Sequence, residues 1–136
     1  MKKIVYKTDN GIAVITPTKE GLAIFGIEGV AEKDVLDGAE YKIIEDTELP
    51  KDRVFRNAWN YDLKEDIPKS KEIWKDKLRA DRKPLLAALD VDSMRAIEDA
   101  KDTVAIIAEK NRLRDITLLV DAAKTIDEIK AITLTV

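Results

Sequence analysis

The chain contains no cysteine and no histidine. The first absence excludes a disulfide scaffold, a thiolate metal site and a cysteine nucleophile. Together the two exclude the common zinc sites, the serine–histidine hydrolases and an imidazole proton shuttle. Serine is nearly missing too: Ser70 and Ser93 are the only ones, neither has an evident base, and no catalytic residue is expected. Glycine is sparse, and although Gly21, Gly26 and Gly29 cluster, their spacing fits neither a dinucleotide nor a Walker loop and no Gly-Lys-Ser/Thr follows. No long hydrophobic run exists. The apolar start at Ile4 and Val5 is far too short for a signal peptide or a membrane span, so a cytoplasmic chain with no membrane partner is expected.

What is present is a charged chain of 136 residues, 45% of them apolar, which is enough for one core without staples. A single domain over 1–136 is expected, mainly β over 1–62 and helical over 63–136. Lys and Arg total 24 against 27 Asp and Glu, so no nucleic-acid partner is expected. The charge is uneven: Lys64 to Lys83 holds eight basic against five acidic residues, and Glu28 to Glu48 two against eight. That dipole along the chain would steer an acidic partner towards its middle, although helices rich in lysine and glutamate are usually just well solvated.

The period of the apolar residues changes along the chain. Ile4–Thr8 and Ile12–Thr16 are rich in β-branched residues and flank Asp9-Asn10-Gly11, which predicts a hairpin whose Asn-Gly supplies the positive φ angles of a tight turn. Pro17 closes the second strand. A short helix is expected around Ala31 to Leu36, a third strand at Tyr41–Ile44 and a fourth at Arg53–Trp59, forming a sheet with one solvated face. After Pro68 the spacing becomes helical: Ile73, Trp74, Leu78, Leu85, Leu86 and Leu89 predict a helix that kinks or restarts at Pro84. New caps are expected at Asp90, Asp92 and Ser93, then a helix through Ala100. A further helix follows, capped by Asp102-Thr103, and a last short one is opened by a Thr125…Glu128 capping box. The fold class predicted is α+β: a small N-terminal antiparallel sheet, packed against a C-terminal helical hairpin with a short terminal helix. Val5, Val14, Ile43, Phe55, Leu78, Leu85, Leu89, Ile107, Leu113 and Ile116 are the expected core.

Few constellations could carry chemistry. Asp90 with Asp92, and Glu98 with Asp99 and Asp102, are the only paired carboxylates, and adjacent positions at a helix end do not span a sugar-sized cleft or supply the spaced ligands of a calcium loop. Capping explains Asp90, Asp92 and Asp102 more simply, and neither a metal nor a cofactor is expected. Phe55, Trp59, Tyr61 and Trp74 are four of seven aromatics, beside Arg53 and Arg56. That is the make-up of an interface hot spot, or of a core between sheet and helix. Arg79, Arg82, Arg112 and Arg114 lie on the two helices of the hairpin, where they would meet Asp81, Glu109 or Asp115 across the seam or clamp a phosphate.

Three stretches resemble a module of tailed-bacteriophage and prophage proteins: Asp52-Arg53-Val54-Phe55-Arg56-Asn57-Ala58-Trp59, Leu78-Arg79-Ala80-Asp81-Arg82-Lys83-Pro84-Leu85-Leu86-Ala87-Ala88-Leu89-Asp90 and Lys110-Asn111-Arg112-Leu113-Arg114-Asp115-Ile116-Thr117. The helical arrangement is similar to the C-terminal end of phage tail fibre assembly chaperones, although Asp99-Ala100-Lys101-Asp102 lacks the glycine often found between the two helices. The resemblance implies a phage-encoded, non-catalytic protein that binds a tail or fibre protein, in the host cytoplasm or on the virion. The alternative is an anti-defence protein that binds a host protein or sequesters a signalling nucleotide, with Arg56, Trp59, Arg112 and Arg114 as the ligand site.

The helical half carries more apolar surface than one stripe requires. Five consecutive apolar residues, Val104 to Ala108, point all round a helix, and Ile106 is expected to face away from the neighbours that bury Ile107. Trp74, Arg79, Arg82, Ile106, Arg112 and Arg114 are therefore the expected partner surface, with a homo-oligomer or a fibre subunit as its cover.

Overall fold

A computed structural model of the chain describes residues 1–135. It is an α+β protein with two compact units, Met1–Asp66 and Ile67–Val136. In the first unit, strands β1 (Lys2–Thr8) and β2 (Gly11–Ile15) are followed by helix α1 (Lys19–Asp34), strand β3 (Tyr41–Glu45) and two single 3-10 turns, Asp46–Glu48 and Arg56–Ala58. The second unit holds α2 (Ile67–Glu98), α3 (Val104–Ala122) and α4 (Ile126–Ala131).

β1 is the central strand of an antiparallel sheet of order β2-β1-β3. Its neighbouring residues Ile4 and Val5 are both fully buried and point to opposite faces. Ile4 packs with Val30 and Ala31 of α1, helped by Ile15, Ile27 and Ile43. Val5 packs with Ile44, Leu49 and Trp59, helped by Ile12, Val14, Tyr61 and Leu63. The expected solvated face therefore does not exist: α1 covers one side and the segment from Leu49 to Leu63 the other, which is why these strands read as apolar runs and not as alternation.

Three local expectations in this unit are corrected. Thr8 pairs with Gly11, so the hairpin loop is Asp9-Asn10, and positive φ falls on Gly11 (155°), the first residue of β2, and on neither loop residue. The short helix near Ala31 is the second half of α1, which starts at Lys19 with the Thr18 hydroxyl accepting from the Gly21 N–H at 3.0 Å. Gly26, at φ 66° and ψ 172°, breaks the helical backbone midway and so hides the helix from periodicity. Arg53–Trp59 is no strand. The Asp52 carboxylate accepts from the Val54 N–H at 3.0 Å, the Ala58 N–H bonds the Phe55 carbonyl at 2.8 Å, and the buried residues are Phe55, Ala58 and Trp59, a helical spacing.

In the second unit α2 runs unbroken through Pro84 and through Asp90–Ser93, against the expected restart. Pro84 and Ala80, whose carbonyl loses its partner, are both exposed, which places that break in the hydrogen-bond ladder on the solvent side of the helix. Asp90 and Asp92 are thus mid-helix and cap nothing. The helix ends at a Schellman motif: the Lys101 N–H bonds the Ala96 carbonyl at 2.7 Å, the Ala100 N–H bonds the Ile97 carbonyl at 3.1 Å, and Ala100 sits at φ 54°. Asp102 accepts from the Val104 N–H at 2.9 Å, but the Thr103 side chain does not cap. Thr125 accepts from the Glu128 N–H at 3.1 Å, whereas Glu128 reaches the Lys124 N–H and not that of Thr125.

The hairpin core holds Trp74 and Leu78 of α2 with Leu113, Ile116 and Val120 of α3. Of the expected core, Val5, Phe55, Leu78, Leu113 and Ile116 are buried, and Val14, Ile43 and Leu89 half-buried. Leu85 and Ile107 are exposed. The expected phase of α3 is reversed: Ile106 lies half-buried on the stripe of Leu113 and Val120, seven and fourteen residues on, and Ile107 is 48% exposed.

Candidate functional site

The hydrogen bonds of β1 decide which backbone groups of β2 are free. Lys7 N–H donates to the Glu40 carbonyl and Asp46 N–H to the Met1 carbonyl, both at 3.0 Å on the β3 side. Odd residues of β1 therefore bond towards β3 and even ones towards β2, where Ile4, Tyr6 and Thr8 face Ile15, Ala13 and Gly11. Ile12 and Val14 are left with N–H and C=O groups aimed outward, and among the described residues neither has a backbone partner there.

A groove of about 720 Å³ runs along that edge. Four consecutive residues, Gly11 to Val14, line one wall, so it follows the edge of the strand and not one of its faces. Arg53, Val54, Arg56, Asn57 and Trp59 form the other wall, and Thr8 and Asn10 close one end. Local turn chemistry sets that wall: Asp52 fixes the turn at Val54, and the Asn60 carboxamide oxygen accepts from the Asp62 and Lys64 N–H groups, closing a tight loop behind Trp59. Arg53 and Arg56 are exposed and have no ion pair or side-chain hydrogen bond among the described residues. Among the described residues no acidic one lines the groove. Trp59 is 2% exposed, with an indole N–H that has no acceptor among the described residues. Nearby, the Lys7 and Lys42 ammonium groups sit 4.7 and 4.5 Å from the centre of the Tyr61 ring, and burial pushes the Tyr61 phenol above its ordinary range.

Three arginines of the second unit are committed elsewhere, whereas Arg95 and Arg114 are exposed with no ion pair or side-chain hydrogen bond among the described residues. Arg82 donates across the hairpin to the carbonyls of Leu113 and Arg114, at 3.0 and 2.7 Å. Arg112 holds Glu109 through two hydrogen bonds and donates to the Leu134 carbonyl at 2.9 Å, which ties down the C-terminal segment and holds the Glu109 carboxyl below its usual range. Arg79 pairs with Asp76 one turn earlier at 2.8 Å. The arginine pairs expected across the seam are replaced by lysines: Lys110 meets Asp90 at 2.5 Å, and Lys75, 12% exposed, meets Asp121, while also pairing with Glu72 of its own helix. Trp74 lies inside the hairpin, donating from its indole N–H to the Ile132 carbonyl at 2.8 Å, and is not partner surface. Exposed apolar side chains on this unit are Met94, Ile97, Val104, Ile107, Leu118 and Leu119, with Leu85 and Val91.

The structure thus brings Arg56 and Trp59 together at the groove, while Arg112 and Arg114 belong to the other unit. Sequence reasoning missed the backbone edge of β2 and passed over Arg53 as a site residue. The available signal was the strand itself: Gly-Ile-Ala-Val-Ile carries none of the charges or prolines that usually blunt an edge. Among the described residues there is no group of acidic side chains placed to hold a metal ion and no helix long and apolar enough to cross a membrane. No model of a known family, no curated protein and no solved structure matches the chain.

Proposed function

We propose that the chain is a non-catalytic protein-binding protein that takes its partner at the outer edge of β2. The single observation that carries this reading is the unpaired backbone of Ile12 and Val14 opening into a groove of about 720 Å³. An unpaired edge recruits another chain through main-chain hydrogen bonds, and a groove beside it gives side-chain selectivity. The resemblance of the helical segments to tailed-phage modules makes a tail or tail-fibre protein the partner to try first. A nucleotide clamp is the weaker reading, because Arg112 is held by Glu109 and Leu134.

Ile12→Pro tests the reading. Proline removes an outward N–H but none that the hairpin uses, so the ladder to β1 is kept while the edge is blocked, at the cost of the Ile12 contact with the Val5 cluster. Purified chain and variant, the latter with unchanged circular dichroism, are compared by pull-down from a tailed-phage lysate. Loss of the captured tail protein with the variant supports the reading. Equal capture by both contradicts it.

A further inference from the structure

We propose that the occupant of the β2 groove is an extended acidic segment of another protein, added to the sheet as a fourth strand. The inference rests on the protein-binding reading and narrows it to one chemistry. Ile12 and Val14 each offer one N–H and one C=O outward, a pattern that only another extended backbone matches in full. The opposite wall supplies Arg53 and Arg56, exposed and unpaired among the described residues, with no carboxylate in the lining to neutralise them. Guanidinium groups so placed bind the carboxylates of Asp or Glu on alternate positions of the incoming strand, which project to one side of it.

A second copy of this chain fits poorly. It would bring the uncharged strand Gly-Ile-Ala-Val-Ile and two more arginines, with no acid to meet either pair. A phosphate or nucleotide would meet the arginines but leave the strand's backbone unpaired. An acidic strand satisfies both walls.

The test uses the full chain labelled with nitrogen-15 and three fluorescent eight-residue peptides: alternating Glu and Val, alternating Lys and Val, and the Glu peptide with a central proline. Anisotropy is expected to give about tenfold tighter binding of the Glu peptide than of the Lys peptide at low salt, the scale of two exposed charge pairs. The ratio should shrink as salt screens the charges. Amide exchange of Ile12 and Val14 should slow on binding, and the proline peptide should fail. The double variant Arg53→Glu, Arg56→Glu should reverse the preference, a gain that misfolding cannot imitate. Equal binding of both charged peptides overturns the proposal. So does binding without protection of Ile12 and Val14, edge protection by self-association alone, or a nucleotide that binds at Arg53 and Arg56 in the peptide's place. If Ile12→Pro abolishes partner capture and no acidic peptide binds, the acidic strand falls while protein binding at the edge stands; if capture is also unchanged, both fall.

Discussion

In the first unit the adjacent residues Ile4 and Val5 are both fully buried, on opposite faces of a three-stranded sheet. In the second, burial on α3 recurs at Leu113, Ile116 and Val120, and Ile107, Leu118 and Leu119 stay exposed. A sheet covered on both faces buries its central side chains and leaves unpaired backbone at its edge. A hairpin built on one stripe spends its backbone internally and offers side chains. The difference teaches what sets the first unit apart: it offers unpaired N–H and C=O groups beside two guanidinium groups without partners among the described residues, whereas the second offers side chains, apolar ones such as Leu118 and Leu119 and the exposed Arg114.

The comparison can be broken most severely at the sheet. Ile4→Ala and Val5→Ala should each destabilise the protein by about 2–4 kcal/mol in urea unfolding, because each opens a cavity in its own cluster. A large loss for one and not the other would mean that a face is solvated. In the helical unit the same logic predicts a comparable loss for Leu113→Ala and less than about 0.5 kcal/mol for Ile107→Ala.

Next in size is Pro84→Ala. The helix continues through this exposed position, so alanine restores a backbone hydrogen bond and should stabilise by about 2 kcal/mol, the helix-interior cost of proline less its unfolded-state benefit. A loss of stability would show that the helix needs the proline. Ala100→Gly should stabilise by about 0.5–1 kcal/mol, since φ 54° is a conformation that glycine adopts without a Cβ penalty.

The smallest expected effect is on pH dependence. The Lys110 ammonium holds the Asp90 carboxyl below its usual range, and Arg112 does the same for Glu109. A carboxyl depressed in the folded state contributes stability that is complete above its unfolded value, near pH 4, and is lost as pH falls through the folded value. Thermal unfolding should therefore show acid weakening, and Asp90→Asn should reduce the acid dependence. An unchanged acid profile in that variant would remove the Lys110 pair from the account.

How much was legible follows from the kind of signal each residue carries. The hairpin, β3, the α2 and α3 helices and the Thr125 cap rest on local chemistry, and the structure contains them. α1 was not legible past its end because the break at Gly26 shifts the phase of its apolar residues. Arg53–Trp59 carries strand-like residues, yet Asp52 and Asn60 redirect the backbone through side-chain hydrogen bonds that composition does not reveal. Five apolar residues in a row at Val104 to Ala108 carry no phase of their own. Counting back seven from Leu113 and fourteen from Val120 would have placed Ile106 inward. Of the site, Arg56 and Trp59 were visible as residue types, whereas an unpaired strand edge exists only once the strand order β2-β1-β3 is fixed.

The most direct test of the central claim needs no ligand: residue-resolved amide hydrogen exchange of the chain alone, across β2. The account predicts fast exchange at Ile12 and Val14, whose N–H groups face outward, and slow exchange at Ala13, whose N–H bonds β1. Strong protection at Ile12 and Val14 in the monomeric chain would mean that the edge is already paired, and would contradict it.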